Sequence, residues 1–442
     1  MKNSTDLLKD DIKGLFFKYV SAAVAGMVMN SLYILADTIF IGRWIGPRGL
    51  AALNIAIPVF NLLFATALLF GVGGATAISV SLGKKDYDKV NIIFTLSMTF
   101  IIGFGLIYTI LGSVFLEEIS YILGAESTNI ELVKDYLRVV FMFGFSFLLV
   151  YGMTPLVRND KAPRLAMMAT ILGGLTNMIF DWLFIVIFGW GMKGAAIATV
   201  FSAFTSIIIL LSHFVSGFAS LKFTKIKFDF SILKRIIKNG IPSFIIEASS
   251  GIVIVSFNLV ILSLIGEIGV ASYGIIANLS LICVYIFTGL SQGLQPLISI
   301  NYGAGLYSRV KKIRTMGMLS AFIFGFAFFI VGNLFPEQLI SLFTEGSEEL
   351  ITIATRGIRI YFVAFVIMGV NIVIGTYFQS IELSNFSTMI TLSRGVVMLL
   401  LSLFILSYIF NMNGVWLSVP VAEFTTLLFG VILLKKESYN LK

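Results

Sequence analysis

Cysteine and histidine are almost missing from this chain: Cys283 and His213 are the only examples in 442 residues. A single cysteine excludes an intrachain disulfide. One histidine with one cysteine offers no nucleophile, base or metal-ligand constellation of the kind a membrane enzyme would need. Charge is scarce as well. Asp, Glu, Lys and Arg make up 12% of the residues against 58% hydrophobic ones, too apolar a composition for a soluble core of this length to hide. The N-terminal "MKNSTDLLKDDIKG" lacks the basic start, short apolar core and small-residue cleavage site of a removable signal, so the first apolar run is expected to stay in the mature protein. "GVGG" at Gly71 has no strand and no Lys-Ser pair beside it, which excludes a phosphate loop and leaves close helix packing.

What is present is a succession of about twelve apolar runs, each near the roughly 20 residues that cross about 30 Å of hydrocarbon. They fall at 15–41, 51–80, 91–116, 134–157, 165–188, 194–218, 239–265, 271–300, 313–335, 352–379, 385–410 and 414–434. The expected class is an all-α polytopic membrane protein. Cys283 lies in an apolar run and reads as packing; His213, near the end of the sixth run and without metal-ligating companions, reads as interfacial. Pro58, Pro155, Pro242 and Pro296 interrupt runs or their ends, as static kinks or as bends used in transport.

The net charge of +8 could suggest nucleic acid, but the basic residues sit in every second loop. Lys2, Lys9, Lys13 and Lys18 precede the first run; Lys84, Lys85 and Lys89 follow the second; Arg158, Lys161 and Arg164 follow the fourth. Lys222, Lys225, Lys227, Lys234, Arg235 and Lys238 follow the sixth, Arg309, Lys311, Lys312 and Arg314 the eighth, and Lys435, Lys436 and Lys442 form the tail. Intervening loops are acidic, as with Glu117, Glu118, Glu126 and Glu131, or Glu337, Glu345, Glu348 and Glu349. The positive-inside rule then places both termini in the cytoplasm, with an even number of spans and no nucleic-acid partner.

Displacing the sequence by 220 residues gives an ungapped self-match. "IGPRGLAA" from Ile45 faces "IGEIGVAS" from Ile265, and Gly73/Gly293, Gly83/Gly303, Tyr87/Tyr307, Val90/Val310 and Gly194/Gly414 are identical. Six spans per copy set both copies in the same sense, related by an axis along the membrane normal, a plan used by secondary transporters. The expected organisation is a first six-helix bundle at 1–220, a basic cytoplasmic linker at 221–238 and a second bundle at 239–442. A substrate path runs between the bundles.

Four acids fall well inside runs: Asp37, Asp181, Glu247 and Glu423. A charge at mid-bilayer costs roughly 2.5–3.5 kcal/mol even on lenient scales, so such groups face a cavity, a partner or an ion. Asp181, Thr199 and Asp37 share a depth roughly 9–11 Å below the outer surface at 1.5 Å per residue. Asn177 stands one turn from Asp181 on the same helix face. Oxygen ligands suit a hard cation, and neighbouring carboxylates without a base suit a shared proton. A Na⁺ or H⁺ coupling site and a purely structural polar network are the two readings. Displaced by 220 residues, Asp37 meets Phe257, Asp181 meets Leu401 and Thr199 meets Val419, whereas Glu247 faces Met27 and Glu423 faces Ala203. The halves share a scaffold and differ in chemistry, with Glu247 and Glu423 available as substrate or second carboxylates.

Taken together, "ADTIFIGRWIGPRGLAALNIAIPV" from Ala36, "GVGGATAISVSLGKKDYDKV" from Gly71, "TNMIFDWLFI" from Thr176, "GMKGAAIATVFS" from Gly191 and "GIPSFI" from Gly240 resemble the multidrug and toxic compound extrusion (MATE) transporters, in the DinF/MepA-like bacterial branch. The resemblance implies two six-helix bundles in the cytoplasmic membrane of a prokaryote. They would alternate between inward and outward openings and exchange organic, mostly cationic amphipathic molecules for H⁺ or Na⁺, as a monomer and without a cofactor. It implies an ion site of Asp37, Asn177, Asp181 and Thr199, with the Ala195 carbonyl as a further ligand. Resemblance to the NorM-type branch gives Glu247 a role in the seventh helix. The first helix, "YVSAAVAGMVMN" from Tyr19, lacks the proline at which some relatives bend. A lipid-linked oligosaccharide or other lipid flippase of the wider superfamily is the rival reading, but its anionic diphosphate calls for several buried cations, and only Arg394 lies clearly inside a run, away from its ends.

Overall fold

The structure, a computed structural model, describes residues 6–217, 219–225, 228–343 and 347–440; Lys2, Lys227, Glu345 and Lys442 lie outside them. Among the described residues, eleven helices are long and apolar enough to cross a membrane, and one bent pair makes a twelfth span. In order they are Ile12–Ile45, Pro47–Gly83, Tyr87–Val114, the pair Ile130–Met142 and Gly144–Asn159, Pro163–Ile187 and Gly191–Val215, then Phe230–Ile265, Glu267–Gly303, Tyr307–Leu334, Glu348–Ser380, Ser384–Phe410 and Met412–Glu437. They are numbered below as the first to twelfth spans. Most extend past the apolar runs because polar turns outside the hydrocarbon continue the helix. The seventh begins at Phe230 rather than at 239, where the Asp229 carboxylate accepts the Ser231 amide at 2.8 Å.

The fourth span turns by 58° at Phe143. No proline causes it. The Phe145 amide leaves the helical ladder and donates to Thr109 Oγ1 of the third span at 3.2 Å, so a neighbouring hydroxyl satisfies the broken turn. Pro58, Pro155, Pro242 and Pro296, by contrast, all lie within continuous helices.

The repeat is visible in the backbone. The second and eighth spans are 220 residues apart at both ends, as are the helices Tyr87–Val114 and Tyr307–Leu334. Each long pair opens from a glycine with positive φ, Gly46 at 88° and Gly266 at 71°. In lipid the apolar surface does not choose a helix partner; close approach at small residues does. Accordingly Gly105 and Gly112 press on Phe145 and Phe141 in the first bundle, and Gly325 and Gly332 on Phe365 and Phe362 in the second.

The bundles meet through the first span against the eighth and the second against the seventh. A Cβ on Gly83 would strike the Ile300 carbonyl and one on Gly303 the Val80 carbonyl, so the pseudo-twofold axis passes between these glycines. The same end of the molecule carries the basic loops and is tied by polar bonds. Asn159 Nδ2 donates to Gln295 Oε1 at 2.8 Å, and Gln295 Nε2 to Thr76 Oγ1 at 3.0 Å. Arg309 Nη2 donates to the Asp10 carbonyl at 2.9 Å. Arg235 forks onto Glu382, with Nε to Oε1 at 2.6 Å and Nη2 to Oε2 at 3.1 Å, while its Nη1 reaches Ser81 across the halves at 3.1 Å.

The connection between bundles is pinned to the first. Asp160 accepts the Ser220 amide at 2.9 Å and the Ser220 hydroxyl, and Thr95 Oγ1 accepts the Thr224 amide at 3.0 Å. His213, expected at an interface, is instead buried, with Nε2 2.8 Å from Asp160 Oδ2. Its partner lies 53 residues away and is gathered only by the fold.

Candidate ion and substrate site

The first and fifth spans run in the same direction. Gly174 of the fifth lets Met29 and Tyr33 of the first come close, which sets Asp37, one turn beyond Tyr33, beside Asp181. The sixth span is drawn to the fifth at Gly173, where a Cβ would collide with Ser206, and by the Ser206 hydroxyl donating to the Ala169 carbonyl at 2.9 Å. Asn177, Asp181 and Thr199 therefore converge. Each carboxylate also stands next to a π-helical segment: Ile41–Ile45 follows Asp37, and Trp182–Ile187 follows Asp181 directly. Such local widening of a helix recurs at functional sites.

The side chains that the sequence reading selected in the first bundle are brought together. Asp181 is fully buried and Asn177 nearly so. The Asp37 and Asp181 carboxyl groups face one another within hydrogen-bonding reach. Asn177 Nδ2 points to Thr199 Oγ1 at 3.5 Å, and the Thr199 hydroxyl donates to the Ala195 carbonyl at 3.0 Å. Asp37 Oδ1, Asn177 Oδ1 and both Asp181 carboxyl oxygens are buried and accept no hydrogen bond from the protein. Buried acceptors left in this way cost about 1–3 kcal/mol each, more when charged. The set is satisfied by one proton shared between the carboxyls or by one hard cation among the oxygens.

Tyr136 belongs to this group and was not selected from the sequence. It is 2% exposed, and its hydroxyl interacts with Thr199 within Coulombic range of both carboxyls. Next to Asp135 and Arg138 it resembles an interfacial aromatic. Its depth, six residues into Ile130–Met142, was the available signal.

The other two acids are not brought to this pocket. Glu247, on the seventh span, lies partly buried near Tyr151 and Tyr285. Tyr151 hydrogen-bonds Tyr33 hydroxyl to hydroxyl at 3.1 Å, so tyrosines stand between Glu247 and the Asp37–Asp181 pair. Glu423 is held elsewhere in the second bundle. Arg394 Nη2 donates to its Oε1 at 2.9 Å and Asn371 Nδ2 to its Oε2 at 2.7 Å. It therefore already has a counter-ion.

Two pseudo-symmetric bundles of membrane-spanning helices around embedded acids define the chain as a polytopic membrane transporter rather than an enzyme. The MatE family model matches residues 22–183 and 241–414, and the chain belongs to that family. The Multidrug export protein MepA of Staphylococcus aureus strain MRSA252 is 28% identical over 403 residues, covering 90% of this chain and 88% of the relative. MepA of Staphylococcus saprophyticus is 26% identical over 400 residues with the same coverage. A solved structure described as the outward-facing conformation of a multidrug resistance MATE family transporter of the MOP superfamily superimposes with a TM-score of 0.94 at 25% identity, covering 100% of this chain and 99% of that one.

Proposed function

We propose that this protein is a multidrug efflux antiporter that exports organic, mostly cationic amphipathic compounds across the cytoplasmic membrane of a prokaryote in exchange for H⁺ or Na⁺. The observation that carries the reading is the pair of facing carboxyls, Asp37 and Asp181, with the Asn177 oxygen beside them and no protein donor to any of the orphaned oxygens. A cation or proton binding there favours one arrangement of the bundles and a drug between them favours the other; each shifts the equilibrium only by its differential affinity. The relatives' names support the direction of transport. The basic loops support a cytoplasmic position for the end that carries them and for both termini, by the positive-inside rule. The working division is 1–220 and 239–442 as the rocking units joined by the 221–238 segment, acting as a monomer without a cofactor.

The test is efflux of a fluorescent organic cation from proteoliposomes under separately imposed Na⁺ and pH gradients, for wild type and Asp181→Asn. Wild-type efflux follows one gradient, and the variant, inserted at equal level, loses that dependence. A variant that follows the gradient as the wild type does would overturn the coupling mechanism.

A further inference from the structure

The second bundle carries a charge cluster at mid-membrane that ion coupling in the first bundle does not use. Arg394 lies in a π-helical turn, Ser393–Val397, that packs against the seventh span. Ser384, at the start of the eleventh span, donates at 2.7 Å to Oδ1 of Asn239, nine residues into the seventh. Ten residues further along both helices, Arg394 reaches roughly the level of Ser249, two residues past Glu247. Residue 394 therefore stands beside the helix that faces the first bundle, at about the height of that helix's acid.

Glu423 uses only part of what Arg394 offers. It is 3% exposed, is bound by one Arg394 nitrogen, Nη2, and receives its second bond from Asn371. Arg394 Nε is buried and donates to nothing in the protein, and Asn371 Oδ1 accepts nothing. A lysine would neutralise Glu423 as well; the planar fork of arginine adds N–H groups set to receive a second carboxylate. Tyr361 stands within Coulombic range of both charges and adds an aromatic face. The π-helical turn is a second, independent sign, because the other two such segments adjoin Asp37 and Asp181.

We propose that the free edge of the Arg394 guanidinium, fixed by Glu423 and Asn371 beside the seventh span, is a carboxylate-recognising subsite that binds the acid end of zwitterionic amphiphiles. The cationic centre of the same molecule extends toward Glu247. This rests on the reading above that the substrate path lies between the bundles. One free edge suits one carboxylate and not the diphosphate of a lipid-linked sugar.

The experiment compares binding of rhodamine B, which carries a free carboxylate, with binding of its ethyl ester, which does not, by fluorescence anisotropy on full-length protein in nanodiscs. The variants are Arg394→Gln/Glu423→Gln, which removes both charges together, and Arg394→Lys, which keeps the charge for Glu423 and removes the fork. The expected result is that wild type binds the acid at least as tightly as the ester, and that both variants weaken the acid about tenfold with the ester within about twofold, the loss of one charge-assisted bond. Equal weakening of both dyes, or none, overturns the subsite. Arg394→Lys keeps the measurement decisive if the double variant does not assemble. Wild type that binds the ester alone defeats this inference only, whereas wild type that binds neither dye defeats the organic-cation reading as well.

Discussion

Asp181 shows how much a single buried side chain demands of its surroundings. The helices around it present a carboxyl, an amide oxygen and a hydroxyl, but no lysine or arginine. Tyr136 is the group that conditions this pocket without a charge of its own, through its hydroxyl at Thr199. Tyr136→Phe keeps the ring packing and removes one neutral hydrogen bond worth about 1 kcal/mol. The half-saturating Na⁺ or H⁺ concentration for efflux is expected to rise by about fivefold with the maximal rate little changed; an unchanged titration curve would place Tyr136 outside the site. The acids, Asn177 and Thr199 were legible in the sequence because residue type and depth are both local properties. Tyr136 was not, because nothing local separates a pocket tyrosine from an interfacial one. The pairing of Glu423 with Arg394 and Asn371, 29 and 52 residues away, exists only once three helices have packed.

The elements follow the same logic of local and remote causes. The number and order of spans and the 220-residue repeat could be read from apolar runs and glycines, because both depend on nearby residues. The 58° turn in the fourth span could not, since its cause is a hydroxyl on the third. Thr109→Val, nearly isosteric, leaves the Phe145 amide without its acceptor. It is expected to cost about 1–2 kcal/mol, read as a lower unfolding temperature in detergent, while Thr99→Val, whose hydroxyl bonds only within its own helix, serves as the control and changes little. The start of the seventh span gives a pH prediction. Hydrogen bonds from the Ser231 side chain and then its backbone amide hold the exposed Asp229 carboxyl below its ordinary value. A depressed folded-state value means that the cap is present above the unfolded carboxylate range, near pH 4, and is lost as the pH falls through the lower folded value. Hydrogen exchange at the Ser231 and Ile232 amides should therefore lose protection on acidification below about pH 4. Asp229→Asn should abolish that acid limb.

At the scale of the whole molecule, the halves are held at one end by contacts of two kinds, and these respond differently to substitution. Glycine against carbonyl at Gly83 and Gly303 is steric; any side chain there forces the bundles apart. The polar contact is made by Arg235, which Glu382 holds in place within the second bundle at 2.6 Å and whose Nη1 donates across the halves to Ser81 at 3.1 Å; the Arg235 side chain is 26% exposed. In the proposed alternating access this end must open, so its closure must be strong enough to seal and weak enough to release. A partly exposed hydrogen bond worth about 1 kcal/mol meets that condition better than a deeply buried ion pair. Ser81→Ala removes the acceptor of that bond, and should move the equilibrium about fivefold toward separation at the basic end. Spin labels at the exposed Asp88 and Ser308, in a background where the buried Cys283 is replaced by alanine, would report this as a longer distance population gaining at the expense of the short one. If Ser81→Ala leaves the distances as they were, this bond is not the clasp and the steric glycine contacts with the other cross-bundle bonds hold this end closed.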